Sequence, residues 1–178
     1  MSTSIPVIRA SQSEDIPGVT AIYAVHVCQG LGSFELTPPD ATEIARRRQA
    51  VLAAGLPYLV AELNGGLAGY AYASPFRPRP AYGATVGNSV YVAEWAQRHG
   101  VARALLSALI QACAAAGKRQ MIAVIGDSGN TASIALHQAM GFQHAGTLKD
   151  VGFKHGRWLD VVMMQRPLGP GATTLPEP

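Results

Sequence analysis

The sequence predicts an α/β fold built on one mixed β-sheet, and three observations predict it. Short runs rich in β-branched and aromatic residues recur along the chain, clearest at Tyr58 to Leu63, Leu67 to Ser74, Ser89 to Val92 and Gln120 to Ile125. Longer segments with apolar residues at helical spacing lie among them, as with Leu105, Leu106, Leu109, Ile110 and Cys113. Hairpin signals join some strands directly while helices separate others, so antiparallel and parallel pairings must coexist.

Taken in order, Ile5 to Arg9 reads as a first strand. Ser11 and Glu14 have capping-box spacing and Pro17 suits a first helical turn. Ile16, Val19, Ile22, Tyr23, His26 and Val27 then line one helical face, which the segment Gln29 to Gly32 breaks. Ser33 to Leu36 is a short extended piece that Thr37-Pro38-Pro39 ends. Asp40 and Glu43 start a second helix and Gly55 stops it. Its Arg46-Arg47-Arg48 triple reads as a solvated face. Asn64-Gly65-Gly66 joins two strands as a hairpin. Pro75 to Tyr82, with three prolines, is a loop leading into the next strand. The helix from about Arg103 ends at Gly117, and Gln120 to Ile125 is a buried strand. Asp127 to Asn130 turns the chain into a helix over Thr131 to Met140. His144 to Phe153 and Arg157 to Met164 close the fold as a hairpin around Lys154-His155-Gly156. A single domain over residues 1–168 is expected, with an unstructured tail over 169–178.

At 178 residues, 48% hydrophobic and 14% charged, the chain can bury a real core. Without a run of 18 apolar residues or a leader-like start, no membrane span or signal peptide is expected. Cys28 and Cys113 fit no metal or disulfide spacing, which predicts reduced thiols, a cytoplasmic setting and no bound metal. The net charge of +3 is modest and no Lys/Arg run is interleaved with aromatics. A small polyanion is therefore a better partner than nucleic acid.

One stretch carries chemistry. Between the strand at Ser89 to Val92 and the helix that follows lies Gln97-Arg98-His99-Gly100-Val101-Ala102. Such a junction aims free backbone N–H groups at one point with the positive end of the helix dipole behind them, which suits a pyrophosphate. Neither G-x-x-x-x-G-K-[ST] nor G-x-G-x-x-G is present. By itself the hexapeptide also fits a plain strand-to-helix turn.

What remains, Gln97-x-x-Gly100-x-Ala102, resembles the acyl-CoA pyrophosphate loop of the GNAT superfamily of N-acetyltransferases. One strand and one helix later, Asn130-x-x-Ser133-x-x-Leu136-His137-x-x-x-Gly141-Phe142 resembles a second signature of that family, in the family's order. Phe34-Glu35-x-x-Pro38-Pro39, the segment from Phe76 to Tyr82, Ser89 to Val92 and Val151 to Asp160 resemble its phosphinothricin-acetyltransferase-like branch. The likeness runs from Ile8 to Arg166. It implies the GNAT fold, a mixed central sheet flanked by helices with a cleft where strands splay. It further implies acetyl-CoA as cosubstrate, a small amine as acceptor, direct transfer without an acyl-enzyme, and a homodimer. Known substrates of the branch include phosphinothricin and methionine sulfoximine.

Direct transfer needs a bound thioester, a polarised carbonyl, a neutral amine and a proton for the departing thiolate. By resemblance, Gln97, Arg98, His99, Gly100, Val101, Ala102 and Arg103 hold the coenzyme's pyrophosphate, and the backbone of Val90, Tyr91 and Val92 meets the thioester carbonyl. Asn130 and Ser133 contact the coenzyme arm; Asn130 also reads as a helix N-cap. His137 stands where the superfamily commonly has a tyrosine that protonates the thiolate, and the alternative is a structural histidine. The branch commonly reads T-V-E-x-S-V-Y-V, with the glutamate draining the amine proton. Here Gly87 occupies that place. Glu35 is the nearest substitute, with Glu94 behind it. Phe34, Phe76, Arg77, Arg79 and Tyr82 would bound the acceptor, the arginines taking a carboxylate or phosphinate. Gly87 keeps open a non-catalytic acyl-CoA-binding protein, and an open groove would favour a peptide N-terminal acetyltransferase.

Overall fold

The computed structural model describes residues 5–176. The first four residues, part of the start that predicts no leader, lie outside it, as do the last two of the tail. Seven strands form one sheet in the order β1-β2-β3-β4-β5-β7-β6. They are β1 (Val7–Ala10), β2 (Tyr58–Leu63), β3 (Gly66–Pro75), β4 (Thr85–Val92), β5 (Gln120–Gly126), β6 (Gln143–Lys154) and β7 (Arg157–Pro167). Every neighbouring pair is antiparallel except β4 and β5, which are parallel. Four α-helices accompany them: α1 (Ile16–Gln29), α2 (Ala41–Ala53), α3 (Val101–Ala115) and α4 (Thr131–Ala139). The expected order of elements holds throughout, and the fold is the predicted mixed sheet with flanking helices.

Side-chain alternation along β4 assigns the two faces. Tyr91 packs edge-on against Tyr23 of α1, with ring centroids 4.9 Å apart, so odd-numbered residues of β4 face α1 and α2. Asn88 meets His137 of α4, so even-numbered residues face the other layer. There Val101, Leu105, Leu106, Leu109 and Cys113 of α3 are buried, as the apolar spacing predicts. Against the first layer stands a ladder of stacked rings, Tyr58 with Tyr72 at 5.1 Å and Tyr70 with Tyr91 at 5.2 Å. Asn64 (φ 52°) and Gly65 (φ 81°) take the left-handed turn that the hairpin signal demands.

Three expectations shift. The reciprocal cap before α1 is built one residue later than Ser11 and Glu14: the Gln12 N–H donates to the Asp15 carboxylate at 2.7 Å, while Ser11 accepts from Arg48. The arginine triple is not a bare solvated face, since Arg47 binds Glu35 and Glu43 and Arg48 binds Ser11. In the stretch expected to be unstructured, Arg119 donates to Gly171 O, Thr174 Oγ1 and Leu175 O, which ties residues 171–175 to the body.

Asp15 anchors the start of α1. Both its oxygens accept from Arg9, at 2.7 and 2.8 Å, and Arg9 also reaches Glu62. The Arg9 guanidinium holds the Asp15 carboxyl below its ordinary range. A carboxylate depressed in this way stabilises the fold fully above about pH 4, and loses that contribution as pH falls through the depressed value. Asp15→Asn is expected to lower stability by about 2 kcal/mol at pH 7. Urea titrations should find the gap between the two proteins closing below pH 4; a gap independent of pH would remove the ion pair as its source.

Candidate active site

The cleft follows from where β4 stops pairing. Thr85 to Asn88 run parallel beside Gln120 to Ala123, and there the ladder ends. Beyond it β4 keeps only β3, and β5 keeps only β7, so the two strands diverge as a fork. Antiparallel pairs alternate between hydrogen-bonded and open. The Ala93 N–H donates to Ala68 O at 2.9 Å, which makes Tyr91–Tyr70 and Ser89–Tyr72 the bonded pairs along β3. Val90 and Val92 therefore turn their N–H and C=O groups the other way, into the fork. Of these, Val92 O accepts from His26 Nε2 at 2.9 Å. The amides of Val90 and Val92 are left facing the opening, whereas Tyr91, grouped with them in the sequence, turns its backbone to Tyr70 of β3.

At the wide end of the fork α3 begins without a side-chain cap. Its N-cap is Gly100 at φ 78°, and Arg98 two residues earlier is also left-handed at φ 65°. A Cβ built on Gly100 would meet nothing within 4 Å, so the space above that backbone is open. The N–H groups of the first turn have no acceptor within the helix. His99 folds back, its Nδ1 donating to Gln97 O at 2.8 Å. Beside this start a groove of about 680 Å³ is bounded by Gly100, Arg103, Ser107, Met140 and Arg166. At the next junction Asn130 Oδ1 accepts from the Ser133 N–H at 3.2 Å, so the capping alternative for Asn130 is realised.

On the α1–α2 face lies a cavity of about 400 Å³ bounded by Tyr23, Ser33, Phe34, Glu35, Tyr91 and Val124. Its outer wall is the loop between α1 and α2, which is irregular and pairs with no strand. Two glycines admit that loop. A Cβ on Gly126 would stand 2.6 Å from Leu31 O, and one on Gly152 would stand 2.2 Å from the Phe34 ring. Lys154, only 3% exposed, donates to Ser33 O at 2.7 Å and pins the loop from the far hairpin; burial pushes its ammonium below the usual lysine range. Ser33 Oγ and Glu35 Oε1 both contact the Tyr23 hydroxyl, at 2.9 and 3.0 Å. Burial raises the Tyr23 phenol, so it stays a donor at neutral pH. Glu35 also turns both oxygens to Arg47. The carboxylate is thus a fixed wall of the cavity with its acceptor capacity largely engaged.

The other predicted acceptor residues sit apart from this cavity. Phe76 packs edge-on against Tyr82 at 5.7 Å and Arg77 lies over the Phe76 ring at 5.3 Å, all on the β3–β4 connection. That connection leaves β3 at Pro75, which pairs with Val86 beside Gly87. Arg77 and Arg79 are exposed. Gly87 shares the α1–α2 face with Ser89 and Tyr91. A Cβ there would lie 3.5 Å from Ser74 Oγ, an ordinary contact, so the position has room for a side chain. His137 is 4% exposed, and both ring nitrogens have partners: Nδ1 lies 2.8 Å from Ser133 O and Nε2 lies 3.1 Å from Asn88. A group meant to give a proton to a sulfur needs an N–H free to reach it, and this imidazole has none.

The sequence pattern did not single out Tyr23, His26, Ser33, Arg47, Asn88, Gly126 or Gly152 as site residues, whereas the Lys154 hairpin was open to either the acceptor site or a subunit interface. Only the two strand glycines carry a local signal, since glycine within a strand pattern marks a close approach of other atoms.

An uncapped helix start, an open glycine and unpaired strand amides suit a long ligand that carries phosphate. Comparison with known proteins agrees. The family model for the acetyltransferase (GNAT) domain matches residues 8–163. The chain is 58% identical to a phosphinothricin N-acetyltransferase of Alcaligenes faecalis over 170 residues, covering 96% of this chain and 86% of that one. It is 39% identical to an L-methionine sulfoximine/L-methionine sulfone acetyltransferase of Pseudomonas paraeruginosa, covering 92% and 95%. Among solved structures, a GNAT superfamily phosphinothricin acetyltransferase from Sinorhizobium meliloti in complex with AcCoA superposes with a TM-score of 0.94. That pair is 45% identical, with 99% of this chain and 94% of that chain covered.

Proposed function

This chain belongs to the GNAT acetyltransferase family and uses acetyl-CoA as cosubstrate, and from that premise we propose that its acceptor is the α-amine of a small amino-acid-like molecule. The fork carries the reading: Val90 and Val92 offer amides to the arm and the carbonyl of a thioester, and the Gly100 turn offers the first-turn N–H groups of α3 to the diphosphate. Arg98 and Arg103 add positive charge there, with Gln97, His99, Val101 and Ala102 shaping the loop, and Asn130 and Ser133 border the arm. Acetyl-CoA supplies the acetyl group as a reactive thioester. The amine enters from the α1–α2 face, where Phe34, Tyr23 and Tyr91 wall the cavity. Arg77 and Arg79 lie with Phe76 and Tyr82 on the β3–β4 connection, apart from that cavity, and their guanidinium groups suit the acceptor's carboxylate or phosphinate.

The acceptor class follows from the missing base. Neutralising an α-amine of pKa about 8 at pH 7.5 costs under ~1 kcal/mol, whereas a lysine side chain costs about 4 kcal/mol. With Gly87 on the acceptor face and Glu35 tied to Arg47, only the cheaper proton can leave through water. The names of the relatives support phosphinothricin and methionine sulfoximine as first substrates to test. Release of free thiol with either should exceed that with lysine side chains or polyamines. A preference for the latter would overturn the acceptor class, and coenzyme binding without turnover on any amine would return the chain to a non-catalytic role. Gly87→Glu restores a carboxylate where a Cβ fits, and kcat is expected to rise about 10²-fold, the low end of general-base catalysis. An unchanged rate would mean that proton removal does not limit turnover.

A homodimer in the cytoplasm completes the reading. On the β6–β7 hairpin Leu148, Val151, Phe153 and Trp158 are all at least half exposed, and β6 is an open sheet edge. A second copy is the partner that would cover them. Among the described residues no helix is long and apolar enough to cross a membrane.

A further inference from the structure

We propose that His137 is a positioning residue that fixes the side-chain amide of Asn88, so that Asn88 presents its oxygen at the apex of the fork to an amide N–H of the pantetheine arm. The imidazole, on this reading, does not deliver the proton that the departing sulfur takes up.

Which atoms can carry hydrogen decides the state of the ring. Nδ1 of His137 lies 2.8 Å from Ser133 O, and a carbonyl only accepts, so Nδ1 bears the proton. The ring is buried against Phe142, with centroids 4.9 Å apart, and none of its polar contacts is a carboxylate. Burial disfavours the imidazolium. A neutral ring protonated at Nδ1 leaves a lone pair on Nε2, which faces the Asn88 amide at 3.1 Å. With Oδ1 toward that lone pair two acceptors would oppose each other. Nδ2 would then be a buried side-chain atom with no partner, and it is the one such atom among the described residues. A half-turn of the amide, which interchanges atoms of almost equal size, resolves both faults. Nδ2–H then donates to the imidazole, and Oδ1 becomes the buried group without a partner.

The position of that oxygen suggests its use. Asn88 is the last residue of β4 to pair with β5, opposite Ala123, so it stands at the apex where the fork closes. An unmatched buried acceptor is costly unless something donates to it. The acetyl thioester has no donor of its own, whereas the pantetheine arm carries amide N–H groups. Ser133 thereby has two tasks, its N–H held by Asn130 and its carbonyl setting the tautomer of His137. Proton balance is kept without the ring. As the C–N bond forms and the C–S bond breaks, the amine sheds one proton and the thiolate gains one, through solvent.

The inference rests on acetyl-CoA occupying the fork, so the first control is calorimetric binding of CoA to the wild-type protein. Absence of that binding would sink the coenzyme reading itself. The tautomer is read on the free protein, from the ring nitrogens of His137 by nuclear magnetic resonance. The expected result is a protonated Nδ1 and a bare Nε2 at pH 7, with the Nε2 signal moving in Asn88→Ala. A proton on Nε2, or an imidazolium at pH 7, overturns the proposal. Asn88→Ala is expected to raise the CoA dissociation constant about five- to tenfold, the loss of one hydrogen bond. His137→Gln, which keeps an acceptor for Asn88, should rescue most of what His137→Ala loses and leave the pH profile of kcat where it was. A His137→Gln protein that binds CoA normally and fails in turnover restores the ring as proton donor. Thermal melts of each variant separate these outcomes from misfolding.

Discussion

Gly100→Val will weaken acetyl-CoA binding about a hundredfold while leaving the protein folded. Two costs combine. A β-branched residue at φ 78° is strained by roughly 1–2 kcal/mol, so the free loop relaxes and must be forced back to bind. The relaxed loop also forfeits a charge-assisted hydrogen bond from backbone to phosphate, about 1.5–3 kcal/mol. Some 3 kcal/mol is two decades in affinity. Because a Cβ there meets nothing within 4 Å, no core contact is disturbed. The melting temperature of the free protein should fall only slightly, by an amount equivalent to about 1 kcal/mol or less. Calorimetry decides: an affinity within threefold of wild type would mean that the diphosphate is gripped elsewhere, and the coenzyme site would have to be redrawn.

Gly152→Ala will strike the other half of the site. The added methyl would lie 2.2 Å from the Phe34 ring, which must swing away and take the cavity wall with it. Overpacking of this kind costs about 1–3 kcal/mol, and kcat/KM for the amine should drop by about tenfold to a hundredfold. Coenzyme affinity should hardly move, because Gly152 is remote from the fork's cradle. Gly146→Ala on the same strand is the control, since its Cβ would meet nothing within 4 Å. Equal losses in both variants would mean that β6 suffers generally and that Phe34 does not shape the acceptor site. Gly126→Ala is less informative, for there the collision is with the Leu31 carbonyl, and backbone yields less readily than a ring.

The two variants also mark what was legible in the chain and what was not. The Gly100 turn is encoded within six residues, because a strand end, a loop and a helix start are all local features. Asn130 as a cap, the Asn64-Gly65 turn and the apolar stripe of α3 are legible for the same reason. The acceptor wall is different. Lys154 meets Ser33 across 121 residues, His26 meets Val92 across 66, and Phe34 meets Gly152 from the far end of the sheet. No spacing rule links such partners, since the sheet order that brings them together places β7 between β5 and β6. Arg47 looked like one of three solvated arginines because a helix surface carries no mark of the loop that packs on it. Asn88 lies just before the strand the sequence marks at Ser89 to Val92 and carries no local signal of its own. Its meaning depends on where β5 stops pairing, and parallel register is set by a crossover helix and not by any turn.

Only four residue pairs join β4 to β5, and the last of them, Asn88 with Ala123, closes the fork from below. A donor chain lying in that fork meets a floor there. An acetyl group is short enough to stop above it. A propionyl or butyryl tail would have to bend toward Val124 and Phe34, into the cavity proposed for the incoming amine. Length of the acyl donor and bulk of the acceptor thus compete for one space, and the seam between two strands acts as a ruler for both.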